Sequence, residues 1–312
     1  MRNVSVLQQR SESNTLKDII YRHIREVNMS RIMGHSQFYT LRSMAESKFG
    51  QIWLPNLQAN DIVEYAKHRK EVDGIKPQTF MQDFTFLHCA LENTRLWKSE
   101  GSDRWEAELE EAKLWLEKLN LIGKSRPRTR RPTEVEIDRL LAYFAEQNEH
   151  PRTEVDMVPV VKFAIASCRR QSEITRIKWE DLDYNKKMYW VRDVKDPKMK
   201  KGNDMLFPAL GDAWPLMMAQ KMESEFVFPY CAKTICQRFV LAKHALGIEN
   251  LRFHDLRREG ATRLLEAGYS PAEVRLVTGH KTTAILDRVY SAPNPELLHQ
   301  GPAAVRSLRA SA

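Results

Sequence analysis

The chain has 312 residues and a formal net charge of +8, with 42% hydrophobic and 29% charged residues. A single hydrophobic core usually stops growing near ~250 residues, so this length predicts two domains. No apolar run approaches the ~20 residues of a membrane span, and the N-terminus lacks the apolar stretch of a signal peptide. These features exclude a membrane-spanning protein and predict a soluble, largely helical protein of the cytoplasm.

Cysteine usage argues against a metal centre. The chain has four cysteines, and they are Cys89, Cys168, Cys231 and Cys236. Cys231 and Cys236 lie near each other, but no second Cys/His pair follows at the spacing of zinc ligands. Buried or incidental thiols are therefore predicted, with no metal ligand among them.

The first 123 residues repeat a helical pattern. Five segments place apolar residues at three- and four-residue spacing, beginning with TLKDIIYRHIREV and ending with SDRWEAELEEAKLWLEKLN, and short polar joints separate them. Ser102 or Asp103 is expected to cap the last of these helices. The pattern predicts a helical bundle over residues 1–123, with a flexible N-terminus of about residues 1–14.

A basic segment, KSRPRTRRP, follows at residues 124–132. Proline stiffens it, and it has no apolar side chain to bury, so it is expected to run between the domains as an extended linker. Because its positive charges are clustered, contact with the phosphates of a DNA backbone is favoured over a linker that is merely solvated. The predicted DNA-binding residues are its five cations: Lys124, Arg126, Arg128, Arg130 and Arg131.

A second domain is predicted from residue 133 onward. Thr133 and Glu136 have the spacing of a capping box, and the helix that they begin is followed by the more apolar TEVDMVPVVKFAIASC. Between Asp183 and Leu210 the pattern changes to that of a β-hairpin with a lysine-rich turn, and helices then resume. The predicted fold is mainly α with a small β-hairpin, an α+β arrangement.

Three polar motifs stand at helix boundaries in this second half. Arg170 precedes Glu173 by three residues after the apolar helix, and His254 precedes Arg257 by three at the start of a later helix. Gly279 and His280 end a short helical stretch, and Tyr290 follows ten residues later. Taken singly, the motifs also fit a solvated helix end or an aromatic packing residue.

Their order resembles that of the tyrosine recombinase (phage integrase) family. Arg-x-x-Glu, a lysine-bearing hairpin, His-x-x-Arg, Gly-His and a tyrosine are loose motifs alone, but five in this order are specific. The resemblance covers most of the chain. It implies a helical core-DNA-binding domain over residues 1–123, a linker over 124–132 and a catalytic domain with a C-terminal tail over 133–312.

The resemblance also implies a reaction that needs neither metal, ATP nor cofactor. Tyr290 would attack a DNA phosphodiester and form a 3′-phosphotyrosyl bond. Arg170 and Arg257 would clamp the non-bridging oxygens, because a guanidinium stays charged throughout. His254 and His280 would hydrogen-bond the phosphate or exchange a proton with the tyrosine, because imidazole titrates near neutrality.

The remaining positions are less sharply defined. Lys195 is the hairpin lysine expected to protonate the leaving 5′ oxygen, with Lys200 and Lys201 as rivals in a long turn. The interval from His280 to Tyr290 is ten residues, where the family commonly has nine, and an extra loop residue would absorb the difference.

Side chains beside these motifs have weaker assignments. Arg169 is expected to be a surface or DNA-contacting charge, and Glu173 to orient an active-site group or to form a core hydrogen bond. Phosphate contacts or solvated charges are expected at Arg252, Arg258 and Arg263.

The expected function is that of a site-specific DNA recombinase. Its implied partners are double-stranded DNA, three further copies of the chain on two DNA sites, and in some systems accessory DNA-bending proteins, with residues 294–312 helping assembly. Two alternatives remain open at this point: a DNA-binding regulator or architectural protein that acts by occupancy, and a topoisomerase-like relaxing enzyme.

Overall fold

A computed structural model describes residues 14–30, 33–125, 128–150, 154–194 and 202–280. The chain divides into two units, Met1–Arg126 and Pro127–Ala312. Apart from Asn14, the predicted flexible N-terminus lies outside the described residues, as does the C-terminal tail. In the described part of the chain, no helix has the length and apolar character needed to cross a membrane.

The first unit is a bundle of helices, as its periodicity predicts. Its five α-helices are α1 (Leu16–Ser30), α2 (His35–Glu46), α3 (Ala59–Glu71), α4 (Pro77–Trp97) and α5 (Trp105–Lys118), with 3₁₀ turns at Lys48–Gln51 and Leu54–Asn56. Their apolar stripes meet in one core. The expected cap of α5 is wrong, because Arg104 occupies the N-cap position without a capping side-chain bond.

The second unit begins with α6 (Glu134–Asn148), whose capping box is confirmed. The Glu136 amide donates to Thr133 Oγ1 at 3.1 Å, and the Thr133 amide donates to Glu136 Oε2 at 2.8 Å. The remaining helices are α7 (Met157–Ser167), α8 (Gln171–Ile174), α9 (Ala213–Met218), α10 (Ala232–Ala245), α11 (Phe253–Glu266) and α12 (Pro271–Thr278).

A small antiparallel sheet interrupts these helices and confirms the predicted hairpin. Its strands are β1 (Leu182–Asp183), β2 (Met188–Val191) and β3 (Met205–Pro208), in the order β1-β2-β3. Tyr189 and Phe207 pair across β2 and β3 and are buried, whereas their neighbours Trp190 and Leu206 are exposed. This alternation shows that one face of the sheet packs against the core. The fold is therefore mainly α with a small sheet.

Helix α7 lies in the centre of this second core, and α11 packs directly against it. Val160, Val161 and Phe163 of α7 have no exposed surface. The close approach requires Gly260 of α11, because a Cβ atom there would lie 1.9 Å from the carbonyl oxygen of Ile165. Gly260 therefore sets the separation between the two helices.

A Gly260→Ala substitution should destabilise the protein by about 2 kcal/mol or more, because the backbone carbonyl that meets the new methyl group cannot rotate away as a side chain would. The measurement is the thermal unfolding of the full chain. Gly123→Ala is the matched control, since its Cβ would meet only Pro77 Cβ, at 3.8 Å. Equal stability of the two variants would contradict the proposed close packing.

Candidate active site

The end of α7 brings Arg170 to the edge of a cleft. Cys168 terminates the helix in the left-handed conformation, with φ 55°, and the chain turns directly into α8. Arg170 Nη1 donates to Glu173 Oε1 at 2.5 Å, and the Arg170 amide donates to Glu173 Oε2 at 3.2 Å. Glu173 is fully buried, whereas the Arg170 side chain keeps 27% of its surface exposed. The carboxylate therefore orients an arginine that still faces solvent.

Arg257 approaches the same place from α11, but its guanidinium is buried. Its Nη1 donates to the carbonyl oxygen of Cys168 at 2.6 Å, and its Nη2 donates to that of Thr278 at 2.7 Å. These carbonyls stand at the ends of α7 and α12, where a cation is favoured by the helix dipole. Arg257 Nη1 also lies 3.9 Å from Glu173 Oε2. One arginine thus joins two helix ends and the buried carboxylate.

His280 directly follows the end of α12. Gly279 caps that helix with φ 73°, in a place where a Cβ would lie 2.9 Å from Phe207 Cε1. Arg257 Nη2 is 3.2 Å from His280 Nε2, and His280 Nδ1 is 2.7 Å from Thr278 Oγ1. Because a guanidinium can only donate, Nε2 is the acceptor and the ring proton lies on Nδ1. The neutral imidazole is therefore the form that fits these contacts.

The electrostatics of the site agree with a neutral His280. Burial lowers the pKa of its imidazole most, and the charges of Arg257 and Arg170 lower it further, to about 3. His254, in the first turn of α11, borders the open cleft with Arg170. Partial desolvation of the His254 ring by the surrounding protein lowers its pKa most, and the charge of Arg257 lowers it further. Both rings can accept a hydrogen bond in the DNA-free protein.

One carboxylate balances three arginines at this site. Burial by itself would raise the pKa of Glu173, but Arg169, Arg170 and Arg257 outweigh it and hold that pKa below its ordinary value. Glu173 is therefore ionised, and its single negative charge leaves an excess of positive charge beside the cleft. An anion such as a phosphodiester would be attracted to this place.

Arg169 does not lie on the surface, so its predicted exposure is wrong. Its side chain is 1% exposed, and the guanidinium lies 3.6 Å from the centre of the Phe207 ring. It donates to the carbonyl oxygens of Ser167 and Val277, at the ends of α7 and α12. The left-handed turn at Cys168 directs Arg169 inward and Arg170 outward. Arg169 thus supports the segment that carries Gly279 and His280.

Two other arginines differ from the prediction of solvated charges. Arg258 is buried, with 8% of its surface exposed. Arg263 donates to Glu259 at 2.8 Å and to Glu134 at 2.5 Å. Arg258 therefore belongs to the packing around α11. Arg263 is paired with two carboxylates although 40% of its side chain is exposed, and Arg252 is exposed.

The cleft has further polar neighbours that the sequence pattern did not indicate. Lys233 and Cys236, near the start of α10, line it together with Arg170 and His254. Nothing in the spacing of AKTICQR marks these two positions, because their proximity arises only when α10 packs against α8. They add a cation and a thiol to the rim of the site.

Several predicted site residues lie outside the described residues: Lys195, Lys200, Lys201, Tyr290 and Arg126. The hairpin segment that carries the lysines has defined ends, because the Val194 amide donates to the Asn203 carbonyl at 2.8 Å. The assignments of the nucleophile and of the general acid stay predictions.

The linker cations have different surroundings. Lys124 is exposed, whereas the other three described cations form salt bridges with carboxylates, and these cations are Arg128, Arg130 and Arg131. Their binding to DNA stays a prediction. In the DNA-free protein, carboxylates already bind the guanidiniums that would contact phosphates.

In the DNA-free protein, the His280 ring should stay neutral as the pH falls from 7.5 to 5. Its pKa of about 3 lies below the ordinary 6.5, so the unfolded chain binds this proton first. The stability that neutral His280 contributes is thus present above about pH 6.5 and is lost as the pH falls towards 3. Imidazole ¹⁵N NMR, assigned with His280→Gln, measures the midpoint; one near 6.5 would refute the burial argument.

The chain is similar to known proteins. A family model described as the phage integrase family matches residues 130–296, more than half of the chain. A putative integrase/recombinase of Haemophilus influenzae is 26% identical over 290 residues, covering 90% of this chain and 73% of that protein. The shufflon-specific DNA recombinase of Escherichia coli is 29% identical over 162 residues, which cover 52% of this chain and 40% of that protein.

Solved structures share the fold. The Tn1549 transposon integrase in complex with transposon right end DNA aligns with a TM-score of 0.66 at 14% identity, covering 92% of this chain and 99% of that chain. A lambda integrase tetramer bound to a Holliday junction aligns with a TM-score of 0.64 at 17% identity, covering 88% and 80%. The chain therefore belongs to the phage integrase family and is a tyrosine recombinase, an enzyme that cleaves DNA strands and transfers them.

Proposed function

We propose that this recombinase cleaves and rejoins DNA at specific sites through a 3′-phosphotyrosyl intermediate on Tyr290. The observation that carries the proposal is the convergence of Arg170, His254, Arg257 and His280 beside one cleft, with Glu173 buried beneath them. Four polar groups from three separate parts of the chain meet at a place that favours an anion.

Each group has a distinct task in this mechanism. Arg170 faces the cleft and binds a non-bridging oxygen of the scissile phosphate, and Arg257 stabilises the charge from the buried side. The ring of His254 accepts or returns the proton of the attacking tyrosine, whereas His280 Nε2 accepts from Arg257 and keeps that guanidinium in place. Glu173 keeps Arg170 oriented in the absence of DNA, so the site needs little rearrangement when the phosphate arrives.

The reaction balances without an external energy source. The Tyr290 oxygen attacks phosphorus, the bond from phosphorus to the 5′ oxygen breaks, and the leaving oxygen takes a proton from Lys195 or from its rivals Lys200 and Lys201. The new phosphodiester retains the energy of the old one. A 5′ hydroxyl from another strand then attacks the phosphotyrosine and releases Tyr290.

The partners follow from the relatives and from the charge of the chain. The Tn1549 integrase structure contains transposon DNA, and the lambda integrase structure is a tetramer on a Holliday junction. We extend both features to this chain: double-stranded DNA is its substrate, and four copies act on two DNA sites. Residues 1–123 are the core-DNA-binding domain, and Lys124 and Arg126 in the linker that follows contact phosphates.

A nicked suicide substrate tests this function directly. After cleavage, the short strand beside the nick diffuses away, so a covalent protein–DNA complex accumulates and persists on a denaturing gel. Mass spectrometry of the trapped peptide should place the DNA on Tyr290, and addition of a 5′-hydroxyl strand should release it. DNA binding without any covalent complex would instead support action by occupancy, and relaxation of supercoils without strand exchange would support the topoisomerase-like alternative.

A further inference from the structure

Helix α11 carries an acidic stripe on the side away from Arg257. Asp255, Glu259 and Glu266 recur at four- and seven-residue spacing, which places them on one side of the helix, while Arg257 lies between the first two and faces the other way. Asp255 and Glu259 are 1% and 2% exposed. Buried carboxylates require partners, because an unpaired buried charge is strongly unfavourable.

The partners come from residues 128–131, a segment that we call the strap. Arg128 Nε donates to Asp255 Oδ1 at 2.8 Å and Arg128 Nη2 to Asp255 Oδ2 at 2.7 Å. Arg131 donates to Glu259 at 2.9 and 3.2 Å and to Glu266 at 2.7 and 3.2 Å. Two arginines therefore bind three carboxylates along the whole length of α11.

These contacts occupy the donors that a DNA phosphate would need. Arg128 Nη1 donates to Asn250 Oδ1 at 2.8 Å, so every nitrogen of its guanidinium already has an acceptor. All three Arg131 nitrogens likewise face Glu259 or Glu266. A two-bond contact to a phosphate would require each arginine to give up one of these acceptors, most of which are oxygens of buried carboxylates, and this is costly.

The charges of the network reinforce one another. Burial alone would raise the pKa of Glu259, but Arg131 and Arg263 outweigh it and hold this pKa below its ordinary value. The hydrogen bond from Arg128 to Asp255 raises the pKa of Arg128. Strap and helix are thus held together by charge-assisted hydrogen bonds.

The strap also reaches the first turn of the helix. The Arg252 amide donates to Asp255 Oδ2 at 2.8 Å, so the carboxylate that Arg128 binds is also the one that caps α11. His254 is the neighbour of Asp255 in the chain, and Arg257 lies one half-turn further along. A shift of the strap would therefore move the groups that face the scissile phosphate.

We propose that Arg128 and Arg131 are positioning residues that fasten the strap along α11 and thereby hold His254 and Arg257 in their catalytic orientation. The inference rests on the proposed function of those two residues. It replaces a DNA-binding role for the strap by a role inside the catalytic unit, and it makes the orientation of α11 dependent on the segment that precedes the unit.

Single-turnover cleavage of the suicide substrate by the full chain tests this role. Arg131→Gln should lower the cleavage rate at saturating DNA by about 10- to 100-fold, because small displacements of catalytic groups have effects of this size. The salt dependence of DNA binding should not change. Lys124→Gln, which removes an exposed cation just before the strap, is the control for loss of a phosphate contact and should weaken binding and reduce the salt slope by about one. Lys221→Gln, at an exposed cation of the same unit as the strap, is the control for the rate and should leave it unchanged.

Glu266→Gln tests the same contact by removing a negative charge instead of a positive one. Removing an acidic group cannot weaken attraction to DNA, so a lower cleavage rate in this variant can arise only through the strap and α11. Combined with Arg131→Gln, it should add little, because both changes break the same contact. The final amount of covalent complex separates the two kinds of damage: a folding defect lowers the amount, whereas a positioning defect lowers the rate.

The outcomes are distinguishable. If Arg131→Gln lowers affinity and the salt slope but not the rate at saturating DNA, the strap binds DNA and this inference is overturned. Retention of the full rate in both Arg131→Gln and Glu266→Gln would overturn it as well. Absence of a covalent complex with the unmodified protein would instead contradict the proposed function itself.

Discussion

Replacing Tyr290 by phenylalanine should abolish covalent attachment to DNA while leaving DNA affinity unchanged. The substitution removes only the hydroxyl oxygen that is proposed to attack phosphorus. Loss of a nucleophile commonly lowers the rate by about 10⁴-fold or more. Tyr290 has no substitute nearby in sequence, because no other tyrosine follows His280. The measurement is the amount of covalent complex formed on the nicked substrate over several hours.

Tyr269→Phe is the control for this change. Tyr269 is partly buried against a small apolar cluster between α11 and α12, so its substitution should leave cleavage intact. Both variants should bind DNA like the unmodified protein, as measured by fluorescence anisotropy. If Tyr290→Phe formed as much covalent complex as the unmodified protein, the nucleophile would be a different residue.

Replacing Arg257 by lysine should damage both catalysis and stability. Lysine keeps the positive charge but cannot donate to Cys168 and Thr278 with one planar group, so one helix end loses its donor. Loss of a preorganised donor at a developing negative charge lowers rates by about 10²- to 10³-fold. The buried position adds a destabilisation of about 2–4 kcal/mol. Cleavage kinetics and thermal unfolding measure the two effects separately.

Arg170→Lys should separate the same two effects. Arg170 is partly exposed and its guanidinium is held by the carboxylate of Glu173, so its replacement should lower the rate to a similar extent with a smaller loss of stability. Arg252→Lys, at the exposed N-cap position that precedes the helix of Arg257, is the charge-preserving control and should change neither quantity appreciably. If Arg257→Lys were as stable as Arg252→Lys, the bonds to the two helix ends would contribute nothing to folding.

Local patterns predict most residues of the candidate site. His254 and Arg257 lie within one turn of a helix, Arg170 directly precedes a turn, and His280 follows a glycine cap, so each feature shows in a few consecutive residues. Helical periodicity likewise predicts the bundle and the helices that follow. The order of the motifs then supplies the chemistry, because it resembles a known family.

Burial of individual arginines could not be predicted in this way. Arg169 and Arg170 are adjacent and chemically identical, and the choice between core and cleft depends on the left-handed turn at Cys168. Cysteine gives no local sign of that conformation, which glycine or asparagine usually adopts. The strap posed a similar problem, since Arg128 and Asp255 are 127 positions apart in the chain. The sequence of a basic proline-rich segment does not reveal whether its arginines contact phosphates or carboxylates.

Arg257 obtains its orientation from main-chain oxygen atoms at Cys168 and Thr278. Every amino acid supplies such an oxygen, so the side chains at these two positions can change during evolution without removing the acceptors, provided that the local backbone path is kept. The position of this guanidinium therefore constrains backbone geometry there more than residue identity. Substitutions at these two positions can accumulate while the guanidinium is still held in the same place.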